Sequence, residues 1–345
     1  MKNLTSSWSS PANIALIKYW GKHSDQLPMN PSVSFTLSES KSIFEIKTSP
    51  KESQSEISLE FTFEGKPNSK FQQKIEQFLL KRRDSFPHLL AHHLTMNSQN
   101  TFPHSSGIAS SASSMSALCL CLLSLELKLS NRSLDKNEFL KEASILSRLA
   151  SGSASRSLFP FIVSWGEIEK KANTSDFYAS PIEPQEIHSK FHHYCDSIVI
   201  VDSNEKSVSS RAGHELMKTH PFANERFLRA KKNCEMLLSA LKNGNVNTFI
   251  DIVEEEALML HALMMTSKPS YILLKPQSLL VIEKLREFRV KSQVPVCFTI
   301  DAGPNIHILY PSEYSLEVKN WMSLELNDFM ILHDHVGLGP ELLSK

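Results

Sequence analysis

Pro11-Ala-Asn-Ile-Ala-Leu-Ile-Lys18-Tyr-Trp-Gly-Lys22 reads as a buried strand with a lysine set into its end. Burying an ammonium is costly unless an anion meets it. Far down the chain, Val296-Cys-Phe-Thr-Ile300 reads as a second strand, delivering Asp301 to a tight turn made by Ala302-Gly303-Pro304 before Asn305. A lysine and an aspartate at strand ends form a candidate catalytic pair. They equally form a candidate structural salt bridge, since ion-pair networks place charges in the same way.

The stretch between them supplies further chemistry. Phe102-Pro-His-Ser-Ser-Gly107-Ile-Ala-Ser-Ser-Ala-Ser-Ser114 holds six serines and a glycine immediately before the apolar run Met115-Ser-Ala-Leu-Cys-Leu-Cys-Leu-Leu. Small side chains let backbone approach a ligand, and the first N–H groups of a helix are unpaired donors at a positive dipole end. The segment therefore reads as a polyphosphate cradle whose hydroxyls could also meet magnesium. It lacks the Gly-Lys-Ser/Thr of the Walker loop, and a flexible Ser-rich linker is the alternative. A second cluster, Ala150-Ser151-Gly-Ser153-Ala-Ser-Arg156-Ser157-Leu158, offers hydroxyls beside an arginine able to fork onto a carboxylate or phosphate. Taken alone, it reads as helix capping plus a surface arginine.

Outward from these segments, residues 33–37, 42–48 and 57–63 alternate as strands do, and Glu64-Gly65-Lys66-Pro67 reads as a turn. Asn68 caps an expected helix with Phe71, Ile75, Phe78 and Leu79 on one face. Further helices are expected after Gly107, after Ser133 and over 222–243, 247–265 and 277–289, the one over 222–243 stopped by Gly244. Strands are expected over 158–165, 197–202 and 306–310. The polar, Pro-containing stretch 170–192 reads as a junction, giving domains of 1–185 and 186–345. Mixed helices and antiparallel-type strands in both halves indicate an α+β chain.

Composition narrows the function classes. At 345 residues the chain exceeds a typical single core. Lys plus Arg and Asp plus Glu both number 37, and the longest basic run is Lys81-Arg-Arg83, so a phosphate-tracking nucleic-acid partner is not expected. The five cysteines, Cys119, Cys121, Cys195, Cys234 and Cys297, lie mostly in apolar runs, as reduced thiols do. The first residues lack a signal peptide's apolar core, and Met115–Leu125 is too short to span a bilayer. A cytoplasmic protein without a membrane partner is the expectation.

In chain order and spacing, Asn13–Lys22, Gly107–Ser111, Ser151–Ser157 and Asp301–Asn305 resemble the diphosphomevalonate decarboxylases of the GHMP kinase superfamily. The resemblance covers nearly the whole chain. It implies a two-domain fold with a ribosomal S5 domain 2-like first half and a ferredoxin-like second half. It also implies ATP-dependent decarboxylation of (R)-mevalonate 5-diphosphate to isopentenyl diphosphate, with ATP and Mg2+ as cofactors and a homodimeric assembly. Carried onto this sequence, it implies that Asp301 accepts or orients the proton of the substrate's tertiary hydroxyl, Lys18 keeps that aspartate ionised, Arg156 grips the carboxylate and Ser111 lies by the transferring phosphate. Ser98, Asn100, Gly107, Ala109, Ser110 and Ser111 would hold the nucleotide. Tyr19, Lys22, Ser151, Ser153, Ser210 and Arg211, with Lys74 a looser match, would surround the substrate. No protein ligand to a metal is assigned.

The pattern departs from the family at His104-Ser-Ser-Gly107, at Pro160-Phe161 and at Ser164. These departures leave open a 5-monophosphate decarboxylase, a 3-kinase that stops before decarboxylation, and an inactive paralogue. Such kinases typically lose the Lys–Asp pair, and Lys18 and Asp301 are both present. His192-His-Tyr-Cys195 and His333-Asp-His335 lack a zinc spacing and read as surface or packing residues. Met259, Met264, Met265, Trp8, Trp20 and Trp165 read as core.

Overall fold

Strand β1 (Thr5–Ile17) is buried without interruption from Ser9 onward and leads straight into buried Lys18, as a lysine ending an apolar run requires. A computed structural model describes residues 3–51, 56–103, 110–204 and 208–344. After β1 come the short β2 (Lys22–His23) and β3 (Leu27–Pro28), the long β4 (Ser32–Pro50), then β5 (Leu59–Phe63), β6 (Lys66–Pro67) and helix α1 (Ser69–Lys81). Strand β7 (His92–Asn100), helices α2 (Ser110–Leu129) and α3 (Lys136–Ala150), and strands β8 (Ile162–Trp165) and β9 (Ala179–Pro181) complete the first half. The second half holds β10 (Tyr194–Ile200), α4 (Ser210–Leu216), α5 (Ala223–Asn243), α6 (Val246–Thr266), α7 (Pro276–Ser292), β11 (Cys297–Thr299), β12 (Ile306–Pro311), α8 (Ser315–Glu325), β13 (Met330–His335) and β14 (Glu341–Ser344).

The larger sheet runs β14-β1-β4-β7-β5-β6, with β8 on β4 and β9 on β8; its β5–β7 pair is parallel. The smaller sheet runs β11-β12-β10-β13 and is antiparallel throughout. The chain is thus α+β. Sequence chemistry explains the ends of several elements. Asn68 Oδ1 accepts from Phe71 N–H at 3.0 Å, Asp135 and Glu138 form a capping box on α3, and Gly244 stops α5 at φ 70°. Any Cβ on Gly244 would meet the His188 ring at 2.8 Å.

Helix α2 extends beyond the Met115–Leu125 stretch noted in the sequence. By length and composition it could cross a membrane, yet 83% of its apolar window is buried inside the protein. It is a core helix, packed on β1 and β4. The expected strand over 158–165 is correct only from Ile162, because Gly152–Leu158 forms a 3-10 helix. The expected junction 170–192 contains β9, which extends the larger sheet. Met265 lies exposed rather than in the core, whereas Met264 is buried.

The second half is tied back to the first. Strand β14 pairs with β1, so the last strand of the 186–345 segment joins the first half's sheet. Asp334 on β13 is buried, and its carboxylate accepts the backbone N–H groups of Ser38 at 2.9 Å, Glu39 at 2.8 Å and Ser40 at 2.8 Å on β4. Asp334→Ala leaves these donors without their anion. We expect a loss of about 3 kcal/mol in stability, read as a lower urea midpoint, since charged hydrogen bonds are worth about 1.5–3 kcal/mol each and water recovers part of them.

Candidate active site

Lys18 follows the last β1–β4 pairing, Ile17 with Val33. Its side chain folds back so that Nζ donates to the Ala15 carbonyl at 2.7 Å and to Asp301 Oδ1 at 2.9 Å. The Thr299 hydroxyl donates to the same Ala15 carbonyl at 3.2 Å, which docks the strand carrying Asp301 against β1. The lysine is 2% exposed and the aspartate 28%, so the pair presents its carboxylate outward from a buried ammonium. Burial pulls the Lys18 ammonium below its ordinary pKa, and the Asp301 charge opposes that fall.

Arg156 lies in the 3-10 helix and is fully enclosed, contrary to the surface arginine that its cluster suggests alone. Its guanidinium donates to Ser32 Oγ at 2.6 Å, Ser34 Oγ at 3.1 Å and Asn13 Oδ1 at 3.2 and 3.3 Å. Asn13 is fixed in turn through Ser157 Oγ at 2.8 Å and the Ser153 carbonyl at 3.2 Å. Every one of these partners is neutral. Burial draws Arg156 down to about 10, against the pull of the Asp301 charge. A buried cation held by neutral groups is built to receive an anion.

Tyr19 packs on Trp165 and His214 with ring centroids 4.6 and 4.3 Å apart, and its buried hydroxyl has no partner among the described residues. Gly152 permits this approach, because a Cβ there would lie 2.9 Å from the Tyr19 ring and hydroxyl. His214 stacks between Tyr19 and Trp20, and its Nδ1 accepts from Gly21 N–H at 3.0 Å. Burial, then the Lys22 charge, pulls His214 down to about 3. Its folded pKa lies below the unfolded one, so folding is favoured above pH 6.5 and weakens as pH falls toward 3, by up to about 1.4 kcal/mol per pH unit. We expect His214→Gln to flatten the fall of Tm between pH 6.5 and 4.

Cations cluster nearby. Lys22 and Lys74 are each depressed by burial and then by the Arg211 charge. Lys22 Nζ donates to Gln26 Oε1 at 2.7 Å, and Lys74 Nζ stands 5.6 Å from the Phe71 ring centre. Ser210 and Arg211 lie exposed in the first turn of α4. Ser151 caps the end of α3.

At the start of α2 a cavity of about 160 Å³ is lined by Phe61, Phe63, Asn68, Phe71, Ser98, Asn100, Ser110, Ser111 and Ser114. The structure thus brings Ser98, Asn100, Ser110 and Ser111 together. Among the described residues the buried Ser98 hydroxyl has no hydrogen-bond partner, while Asn100 Oδ1 accepts from Ser42 Oγ at 2.7 Å. Gly107, Ala109 and the His104-Ser-Ser-Gly107 departure lie outside the described residues. Sequence reasoning missed the aromatic walls from β5 and α1, and the Ser32, Ser34 and Asn13 cradle. Asn13 stood inside the first motif, but its partner Arg156 lies 143 residues further along the chain, so the sequence carried no signal of the pairing.

The diphosphomevalonate decarboxylase-like N-terminal domain matches residues 10–179, and the mevalonate 5-diphosphate decarboxylase C-terminal domain matches residues 197–337. A diphosphomevalonate decarboxylase of Debaryomyces hansenii is 27% identical over 98% of this chain and 90% of its own length. The crystal structure of a mevalonate diphosphate decarboxylase from Legionella pneumophila is 30% identical, with a TM-score of 0.81 over 95% of this chain and 100% of that one. A structure of MDDEF in complex with MVAPP, AMPPCP and magnesium is 27% identical, with a TM-score of 0.83 over 100% of both chains. The chain therefore has the two-domain, GHMP-kinase-like α+β fold and belongs to the diphosphomevalonate decarboxylase family.

Proposed function

We propose that this chain catalyses the ATP-dependent decarboxylation of (R)-mevalonate 5-diphosphate to isopentenyl diphosphate, releasing ADP, phosphate and carbon dioxide. The observation that carries the reading is the Lys18–Asp301 pair, 2.9 Å apart, within charge reach of a buried arginine held by neutral groups. One carboxylate can take a proton, and one guanidinium can hold a substrate carboxylate.

A tertiary alcohol is a poor nucleophile, and phosphoryl transfer is mainly positioning and charge stabilisation. Asp301 accepts the proton of the tertiary hydroxyl as that oxygen bonds to the γ-phosphorus of ATP and ADP departs. Lys18 keeps Asp301 ionised and limits charge build-up. The phosphorylated oxygen then leaves as phosphate, the electron pair of the bond to the carboxylate becomes the new carbon–carbon double bond, and carbon dioxide is released. Asp301 tolerates the developing positive charge. Arg156 fixes the carboxylate, and its anchoring to Asn13, Ser32 and Ser34 keeps the leaving direction constant.

The aromatic walls of the α2 cavity and the unpartnered Ser98 hydroxyl suit an adenosine, with Asn100 beside it. Ser110 and Ser111 lie in the first turn of α2, where backbone N–H groups at the positive dipole end suit phosphates; in this reading Gly107 and Ala109 would contribute to nucleotide binding. Magnesium fits as a companion of the nucleotide, because it is commonly held through substrate phosphates and the cavity offers the hydroxyls of Ser110 and Ser111 beside them. Bound there with Ser111 near, it would neutralise charge on the transferring phosphates. Tyr19, Lys22, Ser151, Ser153, Ser210 and Arg211, with Lys74, surround the diphosphate of the substrate. The domains are 1–185 and 186–345, and the enzyme works as a cytoplasmic homodimer.

Incubation with ATP, magnesium and mevalonate 5-diphosphate tests the reading through the ADP and carbon dioxide formed. Equal amounts are expected. ADP without carbon dioxide would make the chain a 3-kinase, and turnover of the 5-monophosphate alone would reassign the substrate.

A further inference from the structure

The Lys18 peptide lies just past the β1–β4 ladder, where its N–H and C=O lose their strand partners. Two helices of the second half supply replacements. Glu256 on α6 accepts the Lys18 N–H through Oε2 at 2.9 Å, and Arg226 on α5 donates from Nη2 to the Lys18 carbonyl at 3.0 Å. The two side chains also hold each other as a fork, with Nη1 to Oε1 at 2.7 Å and Nη2 to Oε2 at 2.8 Å. Their side chains are 1% and 0% exposed. Asn233 Nδ2 donates to Glu256 Oε1 at 2.9 Å, and Asn30 Nδ2 adds a bond to the Lys18 carbonyl at 3.1 Å.

We propose that the Arg226–Glu256 ion pair is a positioning clamp for Lys18, holding its peptide from the second half so that the ammonium meets Asp301. The proposal rests on the functional reading above. A buried ion pair is weak support for stability compared with apolar residues of similar volume, so its use here calls for another reason. Geometry supplies one. Both members touch the backbone of the same residue, one through the N–H before its Cα and one through the C=O after it, and that Cα carries the side chain that pairs with the candidate base. Asp301 follows β11, also in the second half, so the clamp and the base both reach the lysine from the second half of the chain. Arg226 and Glu256 touch no reacting atom in this reading. They are positioning residues.

Two variants test the clamp. Glu256→Asp keeps the charge but withdraws the carboxylate by one methylene, and Arg226→Met/Glu256→Leu removes both charges without leaving either unpaired. A displacement of about 1 Å at a reacting group can cost on the order of a hundredfold. For each folded variant we expect kcat to fall roughly 10- to 100-fold, with KM for mevalonate 5-diphosphate and ATP within about threefold of wild type. Loss of packing alone would lower Tm and leave kcat of the folded fraction unchanged, which would overturn the clamp. Should the double variant fail to fold, Glu256→Asp decides by the same criterion. A crystal structure of Glu256→Asp gives a readout independent of turnover: Lys18 Nζ is expected beyond hydrogen-bond reach of Asp301 Oδ1, and a separation kept at 2.9 Å would overturn the proposal. An inactive wild type in the same assay would overturn the functional reading instead, and the crystal distance would still decide the clamp.

Discussion

Asp301→Asn lowers kcat by about 10²- to 10⁴-fold, the range spanned by a positioned proton acceptor, while the protein remains folded. The amide can still accept the Lys18 hydrogen bond but cannot take a proton. It also removes the anion that supports the buried ammonium, so Lys18 loses part of what keeps it charged. The substitution is tolerable for the fold, because the Asp301 side chain is 28% exposed and other ties between the halves remain, through Asp334, β14 and the bonds of Arg226 and Glu256 to the Lys18 backbone. ADP and carbon dioxide should fall together. A folded variant that retains wild-type kcat for both products would remove Asp301 from the chemistry.

Arg156→Gln gives the second large effect. The guanidinium is buried among neutral partners, so its charge is unspent in the free protein. Two charged hydrogen bonds to a substrate carboxylate are worth about 3–6 kcal/mol together, or roughly 10²- to 10⁴-fold in kcat/KM. The shorter amide keeps a donor for the Asn13 and Ser32 cradle and removes a buried unpaired charge. Tm should therefore hold or rise while activity is lost, the signature of a site whose charge costs stability. A fall in Tm with kcat/KM unchanged would make Arg156 a structural residue.

The site was legible where charge conflicted with context. Lys18 ended a buried strand and Asp301 sat on a turn, conflicts that mark candidate functional positions, whereas Arg156 among small residues read on its own as a surface arginine. The cradle of Arg156 was not legible, because Asn13, Ser32 and Ser34 reach it from over a hundred residues away. The clamp had a signal that went unread. Val253, Glu256 and Leu260 share the buried face of α6, and Arg226, Ala230 and Leu237 that of α5, so a charge of each sign lay in an apolar stripe.

For the fold, the helices with strong periodicity or clear stops, α1, α2, α3, α5, α6 and α7, were readable, whereas the seven-residue α4 was not. Strand β7 was not, because His92, His93, Thr95, Asn97, Gln99 and Asn100 leave only Leu94 and Met96 to mark a buried face. Nor were α8, β13 and β14, whose stability comes from long-range partners: β13 from β10, and β14 from β1 at the opposite end of the chain. Strand β9 is three residues long and sits among turn-forming neighbours, which hid it inside an apparent linker.

The most direct measurement follows the tertiary oxygen. With mevalonate 5-diphosphate carrying oxygen-18 in its tertiary hydroxyl, phosphoryl transfer to that oxygen followed by its departure places one labelled atom in inorganic phosphate for each carbon dioxide released. Label found in water or retained in the organic product would contradict the account.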